Sequence, residues 1–267
     1  MAFATSRGGT KIFYEVSGDG PPVVLIQGLG LSSRFWFDIP GRLARQYRTV
    51  VLDNRGVGRS DKPFGPYSMG LLAGDVLAVM DAAGVATATL VGISLGGMIA
   101  QHVAVRHPER VTGLVLLATT PGLPHGTLPS LEVLAALVSL PFGRSGSAGA
   151  FARLLLPEKL MPRARELFSR WPDALAKDPV SPTVFLAQLA AAAGHSLGWR
   201  LNEIRCPTVV VAGAEDVLIP PSNSRVLARR IPGAVLEIIP EVGHAVPLLD
   251  QTVVEKALAR LRGANAA

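Results

Sequence analysis

The sequence predicts an α/β fold: a mostly parallel sheet flanked by helices, with a helical segment inserted into it. Three observations carry this. From residue 10 to about 120, short β-rich apolar runs alternate with longer helical patterns, as βαβ units do. The same alternation resumes after about residue 205. Between the two stretches, residues 121–203 show no clear strand, many prolines and several helical patches.

In chain order, KIFYEV, PVVLIQ, RTVVLD, TLVGIS and TGLVLLA read as strands, being short apolar runs rich in β-branched residues. Residues 35–46, 71–83 and 98–106 carry helical periodicity. His107-Pro108 closes the last of these, because proline disfavours helical geometry in the residue before it. PTVVVAG and AVLEIIP supply two further strands, and residues 222–230 and 252–262 two further helices. LEVLAALVSL, AFARLLL and TVFLAQLAAAA are the helical patches of the middle region. The expected organisation is one core, residues 1–120 and 204–267, with residues 121–203 as a helical cap inserted between consecutive strands.

A chain of 267 residues, 49% of them hydrophobic, can bury one sizeable core. Its net charge of +6 is dispersed. Arg42, Arg45 and Arg48, then Arg163, Arg165 and Arg170, then Arg225, Arg229 and Arg230 have the spacing of solvated helix faces. With no nucleic-acid-reading module in view, no nucleic-acid partner is expected. Cys206 is the only cysteine, which excludes an intrachain disulfide and a Cys-based zinc site. The first residues, MAFATSRGGTKIFYEVSG, lack the apolar core of a signal peptide, and no apolar run is long enough to span a membrane. A cytoplasmic protein without a membrane partner is the expectation; oligomeric state is left open.

The strongest local signal is Gly92-Ile93-Ser94-Leu95-Gly96, a G-x-S-x-G where an apolar strand runs into a helix. A sharp strand-to-helix turn exposes the serine hydroxyl above the sheet, and the helix N-terminus beneath it favours negative charge. A serine needs a base to take its proton. Of five histidines, only His244 follows a core strand on a loop at the sheet's ligand-binding edge. His102 and His107 belong with the helix after Ser94, while His125 and His195 fall in the cap, His195 as a candidate for substrate contact. The base in turn needs an acid to orient it. Asp216, in the turn after PTVVVAG, is preferred over its neighbour Glu215. The order Ser, Asp, His then holds along the chain. Oxyanion donors are expected at the backbone N–H of Leu95 and of Leu29, where Gly28 and Gly30 let the backbone approach closely.

QGLGLSSRFW, DNRGVGRSD, GISLGGMIAQ, AGAEDVLIPP and GHAVPL together resemble the successive signatures of the α/β-hydrolase superfamily over nearly the whole chain outside the cap. The resemblance is nearest to bacterial esterases, 3-oxoadipate enol-lactonases and cofactor-free haloperoxidases. It implies an α/β-hydrolase fold, and a structural role for the turn containing Asp53, Arg55, Gly56, Gly58 and Ser60. Serine at position 94 departs from the aspartate of haloalkane dehalogenases and epoxide hydrolases. Gln27-Gly28 replaces the usual His-Gly of the oxyanion loop. Leu29-Gly30-Leu31-Ser32 lacks the Gly-Pro-Gly and Asn of carbon–carbon bond hydrolases.

The expected activity is hydrolysis of small to medium apolar carboxylic esters through an acyl-enzyme, with neither metal nor organic cofactor. Leu123, Leu134, Phe142, Phe151 and Phe185 are candidate pocket residues from a cap also rich in Leu128, Leu131 and Leu137. Lactone hydrolysis and perhydrolase chemistry are alternatives on the same machinery, and a non-catalytic ligand receptor is the alternative outside it.

Overall fold

In the computed structural model, which describes residues 2–140 and 147–264, the apolar runs become strands almost residue for residue. They are β2 (Lys11–Ser17), β3 (Pro22–Ile26), β4 (Arg48–Leu52), β5 (Ala88–Ile93), β6 (Val111–Leu117), β7 (Thr208–Gly213) and β8 (Val235–Ile239). An unforeseen strand, β1 (Ala2–Thr5), precedes them and pairs antiparallel with β2. Together they form one eight-stranded sheet, ordered β1-β2-β4-β3-β5-β6-β7-β8. It is parallel from β4 to β8 and antiparallel where β2 joins β4.

Alternation along the strands builds two apolar layers, because successive side chains point to opposite faces. Val24, Ile26, Leu114, Leu116 and Val210 pack on one face, against α2 (Met69–Ala82) and α3 (Leu95–Arg106). Val23, Leu25, Val115, Leu117, Val209 and Val211 pack on the other, against α1 (Ile39–Leu43) and α11 (Val253–Ala264). With both faces covered, β3, β6 and β7 are almost wholly buried, which is why they read as continuous apolar runs.

The helix expected over residues 35–46 is broken. Ser33–Trp36 forms a 3-10 turn, Phe37 takes φ 47°, and α1 starts only at Ile39, with Pro40 in its first turn. Helix α3 begins at Leu95 rather than Met98, directly after Ser94. Between β6 and β7 the chain forms α4 (Leu131–Ser139), α5 (Ser147–Leu155), α6 (Ala164–Leu167), α7 (Trp171–Lys177) and α8 (Pro182–Ala193). Short α6 and α7 were not foreseen. They carry an aromatic cluster in which Trp171 packs edge-on against Phe35 at 4.9 Å and Phe168 at 4.8 Å between ring centroids, joining these helices to the loop after β3. Beyond β7 come α9 (Ser222–Arg230) and the short α10 (Val246–Leu249).

Strands β3 and β5 are neighbours, but the chain leaves β3 for β4 on one side and β5 for β6 on the other. In an open parallel sheet the crevice at such a switch point, beyond the carboxyl ends of the strands, is where ligands bind.

A buried ion pair ties the N-terminal strands to this frame. Asp75 of α2 accepts from Arg55 Nε at 2.9 Å and Nη2 at 2.6 Å and from the Ser6 hydroxyl, while Arg55 Nη1 donates to Thr10 Oγ1. Both ionic side chains are nearly inaccessible to solvent. Asp75→Ala therefore strands a buried guanidinium, and urea denaturation should show a loss of about 3–5 kcal/mol.

Candidate active site

Strand β5 turns into α3 through a single residue, Ser94, with φ 55° and ψ −119°. That backbone conformation costs a non-glycine residue roughly 1–3 kcal/mol and persists only where surroundings over-determine it. Here they do. Ser94 N–H donates to Leu117 O at 2.9 Å, and Ser94 O accepts from Thr119 Oγ1 at 2.8 Å and from the N–H groups of Gly97 and Met98. A Cβ on Gly92 would overlap the Gly96 carbonyl, and a Cβ on Gly96 would overlap the Ile26 carbonyl of β3, so both flanking glycines are sterically required. Ser94 occupies the N-cap position of α3 yet makes no side-chain cap bond, which leaves its hydroxyl uncommitted.

The loop after β3 runs alongside. Gly28 lies so close that a Cβ there would touch Ser94 Cβ at 3.4 Å. Gln27 Oε1 accepts from Gly28 N–H at 2.8 Å, and Asn54 Nδ2 donates to Gln27 O at 2.9 Å. Gln27 is thus turned inward to brace its own loop. Among the described residues the N–H groups of Leu29 and Leu95 donate to no protein acceptor. Leu29 and Leu95, whose N–H groups have no protein acceptor among the described residues, line the same cavity as Ser94, Leu95 in the first turn of a helix.

On the far side, β7 and β8 deliver an acid and a base. Asp216 Oδ2 lies 2.8 Å from His244 Nδ1, and Oδ1 accepts from the N–H groups of Leu218 at 2.9 Å and Ile219 at 2.8 Å. Both side chains are buried. The adjacent Glu215 points away, to Lys159 at 3.3 Å, so of the two carboxylates it is Asp216 that reaches the imidazole. The His244 loop rests on the inserted helices: Ala245 N–H donates to Leu155 O at 3.2 Å. Among the described residues no hydrogen bond joins Ser94 Oγ to His244, although both line one cavity, with His244 Nε2 the ring nitrogen not used by Asp216.

That cavity, of about 460 Å³, is bounded by the sheet edge below and by the helices between β6 and β7 above. Gln27, Gly28, Leu29 and Leu95 line it, as do Leu123, Leu134, Phe151 and Phe185 of the expected pocket set, joined by Leu128 and Leu137. Leu131 is instead 85% exposed, outside the cavity, and Phe142 lies outside the described residues. Lining residues that pattern reading missed include Trp36, Trp171, Leu218 and Ile219. Asp53 takes no part. It accepts from Ser33 N–H of the loop after β3 and from Arg59 N–H of its own turn, and a Cβ on Gly58 would overlap its carboxylate. Among the described residues no group of three or more His, Cys, Asp or Glu is arranged to hold a metal ion. Nor is any helix there long and apolar enough to cross a membrane.

The family model of the alpha/beta hydrolase fold matches residues 21–251. The chain belongs to this family. This alpha/beta hydrolase is 33% identical over 237 residues to a putative carbamate hydrolase, RutD, of Klebsiella pneumoniae, covering 86% of each chain. Among solved structures it resembles an N-acyl homoserine lactone degrading enzyme (31% identity, TM-score 0.81, 97% and 99% of the two chains). It also resembles an esterase from Rhodococcus (26% identity, TM-score 0.82, 98% of each chain).

His195 lines the cavity but has no free nitrogen for a ligand. Its Nε2 lies 3.0 Å from the Thr120 carbonyl and must donate, so Nδ1 accepts from His102 Nε2 at 3.2 Å. The pair is neutral in this arrangement. Burial pushes His195 down to about 4, opposed by its bond to Thr120; burial, with the repulsion that a protonated His195 would exert and the charges of Arg106 and Arg200, pushes His102 down to about 3. Unfolding releases both to their ordinary value of 6.5, so below that pH the unfolded chain binds protons that the folded chain refuses. Stability is therefore full above pH 6.5 and declines as pH falls toward 4. Urea midpoints measured between pH 7 and 5 should fall for the wild type and fall less for His102→Gln.

Proposed function

We propose that this alpha/beta hydrolase cleaves neutral, apolar carboxylic esters through an acyl-enzyme on Ser94. The observation that carries the reading is the convergence, on one apolar cavity, of an uncommitted serine hydroxyl, a histidine oriented by a buried carboxylate, and two free backbone N–H groups. His244 Nε2 takes the Ser94 proton as Oγ attacks the ester carbonyl, and the N–H groups of Leu29 and Leu95 receive the developing oxyanion. His244 passes the proton to the leaving alkoxide. Water, deprotonated by the same imidazole, then cleaves the acyl-enzyme and regenerates Ser94. Asp216 holds the tautomer that presents Nε2 as the base.

The lining supports this substrate class. Among the described lining residues no Lys or Arg is present, and the only formal charge, Asp38, is paired with Arg170. A lactone bearing a carboxylate would find no counter-ion there, whereas an alkyl or acyl chain would be desolvated by Leu and Phe. A small carbamate, the kind of substrate in the Klebsiella relative's name, would leave most of a 460 Å³ apolar space unfilled. Neutral lactones with an acyl chain remain compatible with the same wall, in keeping with the lactone-degrading neighbour. The residues between β6 and β7 act, in this reading, as the cap that closes the acyl site.

Ser94→Ala should abolish turnover of a p-nitrophenyl ester with the circular dichroism spectrum unchanged; retained turnover would contradict the assignment. Asp216→Asn should lose up to about 10⁴-fold in kcat through misorientation of the imidazole. Across an ester series, kcat/KM should rise from acetate to medium-chain acyl groups and fall when a terminal carboxylate is added to the chain.

A further inference from the structure

Gln188, in the second half of α8, is completely buried and its side-chain amide bonds at both ends. Oε1 accepts from Gly30 N–H at 2.9 Å, and Nε2 donates to Arg55 O at 2.8 Å. The partners are an obligate donor and an obligate acceptor, so the orientation of the amide is fixed by chemistry. It thereby joins the loop carrying Leu29 to the rigid turn after β4, whose Arg55 is locked in the buried pair with Asp75. The same face of α8 presses Phe185 against Gly30 and Val184 against Gly56, both glycines having positive φ.

The geometry points to Gln188 as a positioning residue for the oxyanion donor at Leu29. Gly28 O accepts from Leu31 N–H at 3.3 Å, closing a four-residue turn with Leu29 and Gly30 at its centre. Gly30 has φ 71°, the sign required at the third position of a type II turn. Glycine tolerates either sign of φ, so the peptide between Leu29 and Gly30 is free to flip unless something holds its N–H. Gln188 Oε1 is the group that holds it. Without that anchor the Gly28–Leu31 turn loses its tie to α8 and to the turn after β4 and can shift as a unit, carrying the Leu29 N–H out of line with the oxyanion. The closing Leu31–Gly28 bond is long, and nothing else bonds Gly30 N–H among the described residues. This inference rests on the reading of Ser94 and its oxyanion donors above.

The test compares Gln188→Leu and Gln188→Glu with wild type on a p-nitrophenyl ester, with kcat expressed per site titrated by a phosphonate so that any unfolded fraction drops out. Gln188→Leu should lower kcat by roughly ten- to a hundredfold with KM little changed, as expected for a displaced oxyanion donor. In Gln188→Glu the introduced carboxyl can donate to Arg55 O only when protonated. Its kcat relative to wild type at the same pH should therefore climb as pH falls, a dependence that loss of packing would not produce. A Gln188→Leu kcat equal to wild type, or a Gln188→Glu ratio flat across pH, overturns the inference. If Gln188→Leu does not fold, the Gln188→Glu ratio decides alone. Ser94→Ala, run alongside, separates the two ideas: turnover surviving in that variant contradicts the underlying reading, whereas its loss beside a fully active Gln188→Leu contradicts only the role of Gln188.

Discussion

The backbone of Ser94 is the constraint on which the rest of this molecule depends. Holding a serine at φ 55° needs glycine at 92 and 96, because the turn is packed directly on the Ile26 carbonyl of β3. It needs Leu117 and Thr119 at the end of β6 to hold the peptide groups on either side. It also requires β3, β5 and β6 to be adjacent, which the parallel sheet order provides. The strain is thus maintained by three strands and the start of a helix. Its product is a hydroxyl projecting into the crevice at the switch point of the sheet.

Around that point the helices between β6 and β7 do more than roof a cavity. Leu155 O at the end of α5 receives the N–H of Ala245, next to His244. Asp178, just past α7, accepts from Ser32 Oγ at 2.6 Å and Arg34 Nε at 2.9 Å, beside the loop that carries Leu29. Gln188 of α8 bonds within that loop itself. These helices are therefore hydrogen-bonded to the loops bearing the proposed base and one proposed oxyanion donor. Polar bonds thus link the two layers.

What was legible in the sequence followed from how local the determining physics is. Strands β3, β6 and β7 are buried on both faces, so their apolar runs are unmistakable; β1 is four residues at a sheet edge, AFAT, and offers almost no run to read. Helical periodicity over 35–46 was real but was overruled by the turn at Phe37 and by Pro40. Ser94, Asp216 and His244 stand out in the sequence as candidates because each sits just past a strand, in a turn with its own glycine or proline punctuation. Gln188 carried no such mark. It is one polar residue in the alanine-rich helix TVFLAQLAAAA, and its partner Gly30 is 158 residues away along the chain. The neutral His102–His195 pair was hidden for the same reason, being 93 residues apart.

If the strained turn at Ser94 serves covalent catalysis, the acyl intermediate itself can be weighed. Wild-type enzyme mixed with a medium-chain p-nitrophenyl ester and acid-quenched within the first turnovers should show, by intact mass spectrometry, a species heavier by one acyl group. Proteolysis should place that group on the peptide containing Ser94. A quenched enzyme of unchanged mass under conditions of measurable turnover, or an acyl group on any other residue, would contradict the account.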